Sequence, residues 1–318
     1  MCDDTTDAED SAFLAARNLS RRDFTLLGAS AAALTVMSGC TPSSPAEGPS
    51  GAASGTGAAA PTSSATGTAA AGAETVSRAV TIDTPDGKAD AFLVSPASGK
   101  HPAVILWPDI AGLRDTYKTM ATRLAQAGYA VLAVNQYYRS SPAPVLTGLT
   151  EWRTDEGRAK LKPMIEAITP AGTTSDAAAF VKWLDAQPEV DTAKKIGTCG
   201  YCMGGPFTFR TAAAAPERVG AAASFHGANL VNDTPDSPHL LFTRVQASFL
   251  IAIAQNDDER QSDAKDKLRA AAEAAGRPAE IEVYPAQHGW CTLDAPIYDQ
   301  AQAEKAWGRM LATFQKSL

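Results

Sequence analysis

Residues 196–205 read Ile-Gly-Thr-Cys-Gly-Tyr-Cys-Met-Gly-Gly and carry the motif that most strongly indicates the architecture. Within it, Gly200-x-Cys202-x-Gly204 matches the nucleophile-elbow pattern G-x-S-x-G with cysteine in place of serine. The pattern lies between an apolar run that predicts a strand and an apolar spacing that predicts a helix over 203–214. Glycines on either side let the chain turn sharply, and the positive end of the helix dipole favours a thiolate. The stretch therefore predicts Cys202 as a nucleophile on a strand–turn–helix.

The same stretch has two further interpretations. Cys199 and Cys202 form a C-x-x-C, the spacing of thiol–disulfide oxidoreductases. In those proteins the motif opens a helix, whereas here Cys199 falls inside the predicted strand, where a packed core residue is expected. Cys202 could also be a buried cysteine in a glycine-rich turn. The redox function stays open as the rival to nucleophilic catalysis.

Strands and helices alternate along the chain on both sides of this motif. The run 78–94 predicts a hairpin around the turn signal Pro85-Asp86-Gly87. Continuous apolar runs predict buried strands, which favour a mostly parallel sheet with helices on both faces, an α/β fold of doubly wound type. The segment 140–172 is rich in Pro, Thr and Gly, and is predicted to be an irregular cap or rim. The predicted buried strands are 102–107, 129–134, 195–199, 219–224, 248–254 and 280–284.

Two acids and one histidine complete a candidate triad. Hydrolases of this architecture order the triad as nucleophile, acid and histidine along the chain. Asp257 and Asp258 follow a buried strand, and position alone does not choose between them. His288 follows the last strand and is the one histidine beyond these acids. His226, also after a strand, could line the site.

The chain from about residue 78 to 318 resembles the dienelactone hydrolase family, α/β-hydrolases with a Cys-His-Asp triad. The most specific part is Gly-Tyr-Cys-Met-Gly-Gly at 200–205, which is similar to the family's G-Y-C-x-G-G. The resemblance implies the α/β-hydrolase fold, Asp257 as the acid and His288 as the histidine. It also implies an oxyanion hole formed by the backbone N–H groups of Ile110 and Met203.

Two shorter motifs extend the resemblance. Residues 109–113 read Asp-Ile-Ala-Gly-Leu and resemble the family's E-I-x-G-L, which implies that Asp109 activates the thiol. Residues 136–139 resemble L-Y-x-R, which implies that Arg139 binds a substrate carboxylate. Tyr137 and Trp290 are expected to line the substrate site. The stretch after His288 lacks the arginine found in family members that bind dienelactone, so the ester or lactone substrate stays open.

These residues together predict acyl transfer, in which Cys202 attacks an ester or lactone carbonyl and forms a thioester. Neither a cofactor nor a metal is expected, because the histidines lie far apart without a ligand motif such as H-E-x-x-H. A small-molecule ester or lactone is the expected partner. The alternatives are a thiol oxidoreductase and a non-catalytic tethered binding protein on a hydrolase scaffold.

The N-terminal segment predicts export. Residues 20–27 read Ser-Arg-Arg-Asp-Phe-Thr-Leu-Leu and resemble a twin-arginine (Tat) signal, followed by an apolar run too short to span a bilayer. Met-Ser-Gly-Cys at 37–40 resembles a lipobox, so lipidation of Cys40 is one outcome and cleavage further on is the other. The predicted organisation is a signal at 1–40, a flexible linker at 41–75 and a catalytic domain at 76–318. The protein is then periplasmic or in the cell envelope, with the Tat export machinery as a partner.

The net charge and the cysteine count bear on the class of partner and on the state of the thiols. The 28 Lys and Arg residues against 35 Asp and Glu residues leave a formal net charge of −7. This balance argues against nucleic-acid binding, which requires a basic face. Three of the five cysteines lie in the predicted domain, and an odd number in an exported domain predicts at least one free thiol.

Overall fold

The computed structural model describes residues 72–318, together with Glu9, Ala12, Phe13 and Ala15 near the N-terminus. The predicted Tat-like signal, the candidate lipidation site Cys40 and nearly all of the predicted linker 41–75 lie outside the described residues. In the described part of the chain, no helix combines the length and apolar character needed to cross a membrane.

The described chain forms an eight-stranded sheet in the order β1-β2-β4-β3-β5-β6-β7-β8. The β1–β2 and β2–β4 pairs are antiparallel, and every pair from β4 to β8 is parallel. The strands from β3 to β7 are almost wholly buried, as the continuous apolar runs predict. The strands are β1 (Thr75–Thr84), β2 (Gly87–Pro96), β3 (Ala103–Trp107), β4 (Ala130–Val134), β5 (Ile196–Tyr201), β6 (Val219–Phe225), β7 (Ser248–Ala254) and β8 (Ala279–Tyr284).

Helices cover both faces of this sheet and enclose two apolar cores. One core packs Phe180 and Phe209 against one face, and the other packs Tyr117 and Phe314 against the opposite face. The predicted doubly wound α/β fold of hydrolase type is therefore confirmed. The helices are α1 (Asp115–Gln126), α2 (Leu149–Trp152), α3 (Asp155–Glu166), α4 (Pro170–Leu184), α5 (Gly205–Ala214), α6 (Gln255–Arg260), α7 (Ala264–Ala274) and α8 (Gln300–Ser317).

The segment 140–172 is more regular than its composition predicts. It contains α2 and α3, and α4 begins at Pro170. Thr154 caps α3 by accepting the Gly157 N–H at 3.0 Å, and Leu161 anchors that helix in a small apolar cluster. Apolar periodicity does not predict α3, because the helix has few apolar residues and contains Pro163.

Candidate active site

The turn that follows β5 presents Cys202 at the carboxyl edge of the parallel strands. Cys202 has a φ of +51°, in the left-handed region that few non-glycine residues adopt, and a short 3-10 turn then leads into α5. A Cβ on Gly200 would lie 2.1 Å from the Gly204 carbonyl oxygen, and a Cβ on Gly204 would lie 2.4 Å from that of Trp107. The glycines of the motif are therefore required by close backbone approach.

His288 and Asp257 meet beside this turn. Asp257 Oδ2 lies 2.7 Å from His288 Nδ1, and the His288 backbone N–H donates to Asn256 Oδ1 at 2.8 Å. Asn256 is a positioning residue that the sequence motifs did not reveal. Since β7 and β8 are neighbours and end at the same edge, their following segments bring the acid and the histidine together.

Asp257 and His288 shift each other's pKa values in the directions that favour their charged forms. Burial alone would lower the pKa of His288, but the Asp257 carboxylate and the nearby Cys202 sulfur raise it to about 10. Burial alone would raise the pKa of Asp257, yet the charge and hydrogen bond of His288 hold it below its ordinary value. Both groups therefore favour the protonated form of His288.

Asp258 has a different environment from Asp257. Both of its carboxylate oxygens pair with Lys265 Nζ, at 2.7 and 2.8 Å. The two acids lie on the short helix α6, which follows β7, and successive residues on a helix point about 100° apart. The helix turn therefore directs only Asp257 towards His288.

A cavity of about 340 Å³ opens in front of Cys202. Ile110 and Met203, the predicted oxyanion-hole residues, both line it beside the cysteine. Ile165, Ile168 and Pro170 from the segment 140–172 form part of its rim. The lining combines apolar and polar side chains, and the polar ones are Arg210, Asn229, Asn232, Thr234 and Asp236.

Tyr137 and Asp109 are both buried, with partners that differ from the predicted ones. Tyr137 is buried, and its hydroxyl donates to the Ile110 carbonyl at 2.7 Å, so it holds the oxyanion loop and does not line the substrate cavity. The Asp109 carboxylate receives Arg114 at 2.7 and 2.9 Å and the Ala111 N–H at 2.9 Å. Asp109 thus forms a buried ion pair with Arg114, in place of the thiol contact that the resemblance implies.

Arg139 and Trp290 also lie apart from the cavity, which corrects their predicted substrate contacts. The Arg139 guanidinium bridges Asp86 and Asp176, with bonds to Asp176 of 2.8 and 2.9 Å, so its charge is already neutralised. Trp290 is fully buried and stacks on Tyr284 with ring centres 5.2 Å apart. Both positions follow from tertiary contacts that a local motif does not encode.

Arg210 was not predicted as a site residue, yet it is the one cation among the cavity-lining residues in the described part of the chain. Its side chain is 11% exposed. Its nearest carboxylate contact is 3.9 Å, to Asp236, which is itself 47% exposed. Burial lowers the pKa of Arg210 from its ordinary value, although an arginine stays protonated at neutral pH. A desolvated, weakly paired guanidinium therefore faces the cavity.

Two further cysteines, Cys199 and Cys291, lie within the described residues. Cys199 is a free, fully buried residue of β5, and burial raises its pKa well above the ordinary value. Cys291 is likewise buried and free. Such thiols are poor redox groups, because the thiolate is the reactive form. Between residues 72 and 318, no group of three His, Cys, Asp or Glu side chains is arranged to hold a metal ion.

Comparisons with known proteins agree with this architecture. Residues 89–318 match the sequence model of the Dienelactone hydrolase family. A "Putative carboxymethylenebutenolidase" of Methylorubrum extorquens is 27% identical over 247 residues, covering 76% of this chain and 81% of that protein. One from Salmonella typhi is 28% identical over 254 residues, covering 73% and 90%. The crystal structure of a "Putative Dienelactone Hydrolase" from Klebsiella pneumoniae aligns with a TM-score of 0.66 at 25% identity, covering 76% of this chain and 99% of that one.

Proposed function

Because the chain belongs to the dienelactone hydrolase family and is thus a carboxylic ester or lactone hydrolase, we propose that it acts through Cys202, His288 and Asp257. The observation that carries the proposal is the 2.7 Å contact between Asp257 and His288, beside a cysteine held at φ +51° on the strand–helix turn. Strained backbone at such a turn is a mark of a nucleophile.

In the proposed reaction the Cys202 thiolate attacks the carbonyl carbon. The C–S bond forms, and the carbonyl electron pair moves to the oxygen. The backbone N–H groups of Ile110 and Met203 receive this oxyanion, an effect worth roughly 10²–10³ in rate per donor. When the tetrahedral intermediate collapses, the C–O bond breaks and His288 gives its proton to the leaving alkoxide.

The electrostatics favour this sequence of proton transfers. The negative charge at Cys202 is one of the causes that raise the pKa of His288. That charge disappears once sulfur is acylated, so the imidazolium becomes more acidic at the moment when it must release a proton. The neutral imidazole then takes a proton from water, which cleaves the thioester and regenerates the thiolate. Asp257 holds the ring orientation throughout.

The cavity indicates what kind of ester fits. Its apolar lining residues suit a small hydrocarbon portion, and the Arg210 guanidinium suits a carboxylate on the same substrate. This assignment replaces Arg139, whose guanidinium already has two carboxylate partners.

We also propose that the enzyme acts outside the cytoplasm, from the Arg21-Arg22 signal pattern and the linker 41–75. If Cys40 is lipidated, the catalytic domain is tethered to a membrane through that linker. In cell fractions, Cys40→Ala should then move the protein from the membrane to the soluble envelope fraction. An unchanged distribution would show that Cys40 is not the anchor.

The enzymatic proposal is tested with a p-nitrophenyl ester, wild-type protein and Cys202→Ala. The wild type should release p-nitrophenol, and mass spectrometry of a rapidly quenched sample should show an acyl group on the peptide that contains Cys202. Cys202→Ala should abolish both signals, whereas Cys199→Ala should retain activity. A thiol oxidoreductase would require both cysteines and would reduce an insulin disulfide, and a binding protein would show neither activity.

A further inference from the structure

A turn formed by residues 226–228 holds the backbone of Cys202 from both sides. The Cys202 N–H donates to Nδ1 of His226 at 3.1 Å, and the Cys202 carbonyl accepts the Ala228 N–H at 3.1 Å. This turn follows β6, which pairs with β5 directly beside the nucleophile. Both peptide groups of the strained residue are therefore fixed by one neighbouring segment.

His226 is itself held in an unusual conformation. Its φ is +39°, and its backbone N–H donates to the Ala252 carbonyl at 2.8 Å. Left-handed backbone in a non-glycine residue costs free energy, so it persists only where surrounding contacts hold it. Two such residues, Cys202 and His226, face each other across one hydrogen bond.

The protonation state of His226 suits an acceptor. The side chain is almost completely buried, and burial lowers its pKa, with the His288 cation acting in the same direction. Since the ring is neutral and Nδ1 accepts a hydrogen bond, its proton lies on Nε2. That nitrogen has no hydrogen-bond partner among the described residues, so Nδ1 provides the polar attachment that orients the ring.

The ring also contacts the proposed general base. Its centre lies 4.8 Å from that of His288 and 5.2 Å from that of Trp290, both in edge-to-face geometry. Trp290 in turn stacks on Tyr284. A chain of buried rings thus links the elbow to β8, immediately before His288. His226 is not among the residues that line the cavity in front of Cys202.

We propose that His226 is a positioning residue, whose Nδ1 holds the Cys202 backbone in its strained conformation and whose ring packs His288 against the nucleophile. The inference rests on the proposed function, because it assigns His226 to the presentation of the proposed nucleophile. Loss of the acceptor leaves the Cys202 N–H buried without a partner and lets the turn relax. The sulfur then spends less time in line with His288 and the oxyanion donors.

The test compares side chains that keep or remove an acceptor at the Nδ1 position. In His226→Asn, Oδ1 occupies about the position of Nδ1, and asparagine tolerates a positive φ. His226→Phe keeps a flat ring without an acceptor, and His226→Gln moves the acceptor to the outer position of the side chain. His101→Phe is the matched control, because His101 lies two residues before β3 and its ring bonds to a local carbonyl, Ser98 O.

Two rates are measured for each variant: turnover of a p-nitrophenyl ester and alkylation of Cys202 by iodoacetamide. We expect His226→Phe to lower both by about 10- to 100-fold, the range expected when a buried donor loses its partner. The effect should fall on kcat with little change in KM. His226→Asn should stay within a few-fold of wild type, and His101→Phe should equal it.

The thermal melting curve separates this role from a purely structural one. If His226→Phe melts lower but keeps both rates, the residue is only a core side chain and the proposal is overturned. If His226→Phe does not fold, His226→Asn and His226→Gln provide the test. The proposal then requires both rates to be about tenfold higher in His226→Asn than in His226→Gln, and equal rates would contradict it. Alkylation does not depend on hydrolysis, so an absence of ester turnover in wild type would contradict the proposed function and leave this comparison readable.

Discussion

Replacing Asp257 with asparagine tests the charge relationship at the centre of the site. The carboxylate lies 2.7 Å from Nδ1 of His288, so the two charge centres are about 4 Å apart. With an effective dielectric constant of about 20, their attraction is about 4 kcal/mol. This free energy corresponds to a fall of about 3 in the pKa of His288, from about 10 to the neighbourhood of 7.

The expected result is a change in both rate and pH dependence. Wild type should keep its imidazolium up to about pH 10, so acylation of Cys202 should stay nearly constant between about pH 6 and 9. In Asp257→Asn the imidazolium deprotonates near neutrality, and the amide can also favour the wrong tautomer. Acylation at pH 8 should fall by about 10²–10⁴-fold, with the lower value favoured because a cysteine needs less help from its base.

Stopped-flow measurement of p-nitrophenol release across this pH range gives the acylation rate directly. Asp258→Asn is the matched control, because Asp258 pairs with Lys265 and should stay within a few-fold of wild type. Asp257 Oδ1 also receives Arg260 at 2.7 Å, so Arg260→Gln shows how much of the loss comes from that bond. If Asp258→Asn loses more activity than Asp257→Asn, the assignment of the acid is wrong.

Three further outcomes are expected. Alkylation of Cys202 by iodoacetamide should vary little between about pH 6 and 9, because the proposed thiolate is stabilised by the His288 imidazolium. The alkylation rate of a free thiol instead rises about tenfold with each pH unit until its pKa is reached, and such a profile would contradict the proposed ion pair. Arg210→Gln should lower kcat/KM for mono-p-nitrophenyl glutarate about tenfold or more, as expected for a lost charge-assisted hydrogen bond, and should leave kcat/KM for p-nitrophenyl butyrate nearly unchanged. Equal effects on both esters would contradict the assignment of Arg210 to a substrate carboxylate. Replacing both Arg21 and Arg22 with lysine should retain the protein in the cytoplasmic fraction, and unchanged export would exclude the Tat signal.

Short sequence motifs predicted the turn that carries Cys202 and placed Asp257 and His288 after neighbouring strands, where the structure has them. The glycines around Cys202 are needed by backbone contacts as close as 2.1 Å, and this requirement leaves a readable pattern. His288 could be selected because it is the one histidine that follows Asp257 and Asp258 in the chain. The helices in 140–172 were missed, since α3 has few apolar residues and contains Pro163. The roles implied for Asp109 and Arg139 did not transfer, because Arg114, Asp86 and Asp176 engage their charges.

Residue patterns along the chain are sufficient to predict the alternation of strands and helices, the strand–turn–helix that carries Cys202, and the order of acid and histidine after it. These features depend on residues close together in the chain, where backbone sterics and apolar periodicity act directly. The contacts between side chains from different elements depend on the folded arrangement of the chain. Arg210 faces the cavity and His226 holds the Cys202 N–H because neighbouring strands and the helix after the elbow converge at one edge of the sheet. Charge pairing and desolvation depend on distances in space, which the spacing of residues along the chain does not encode.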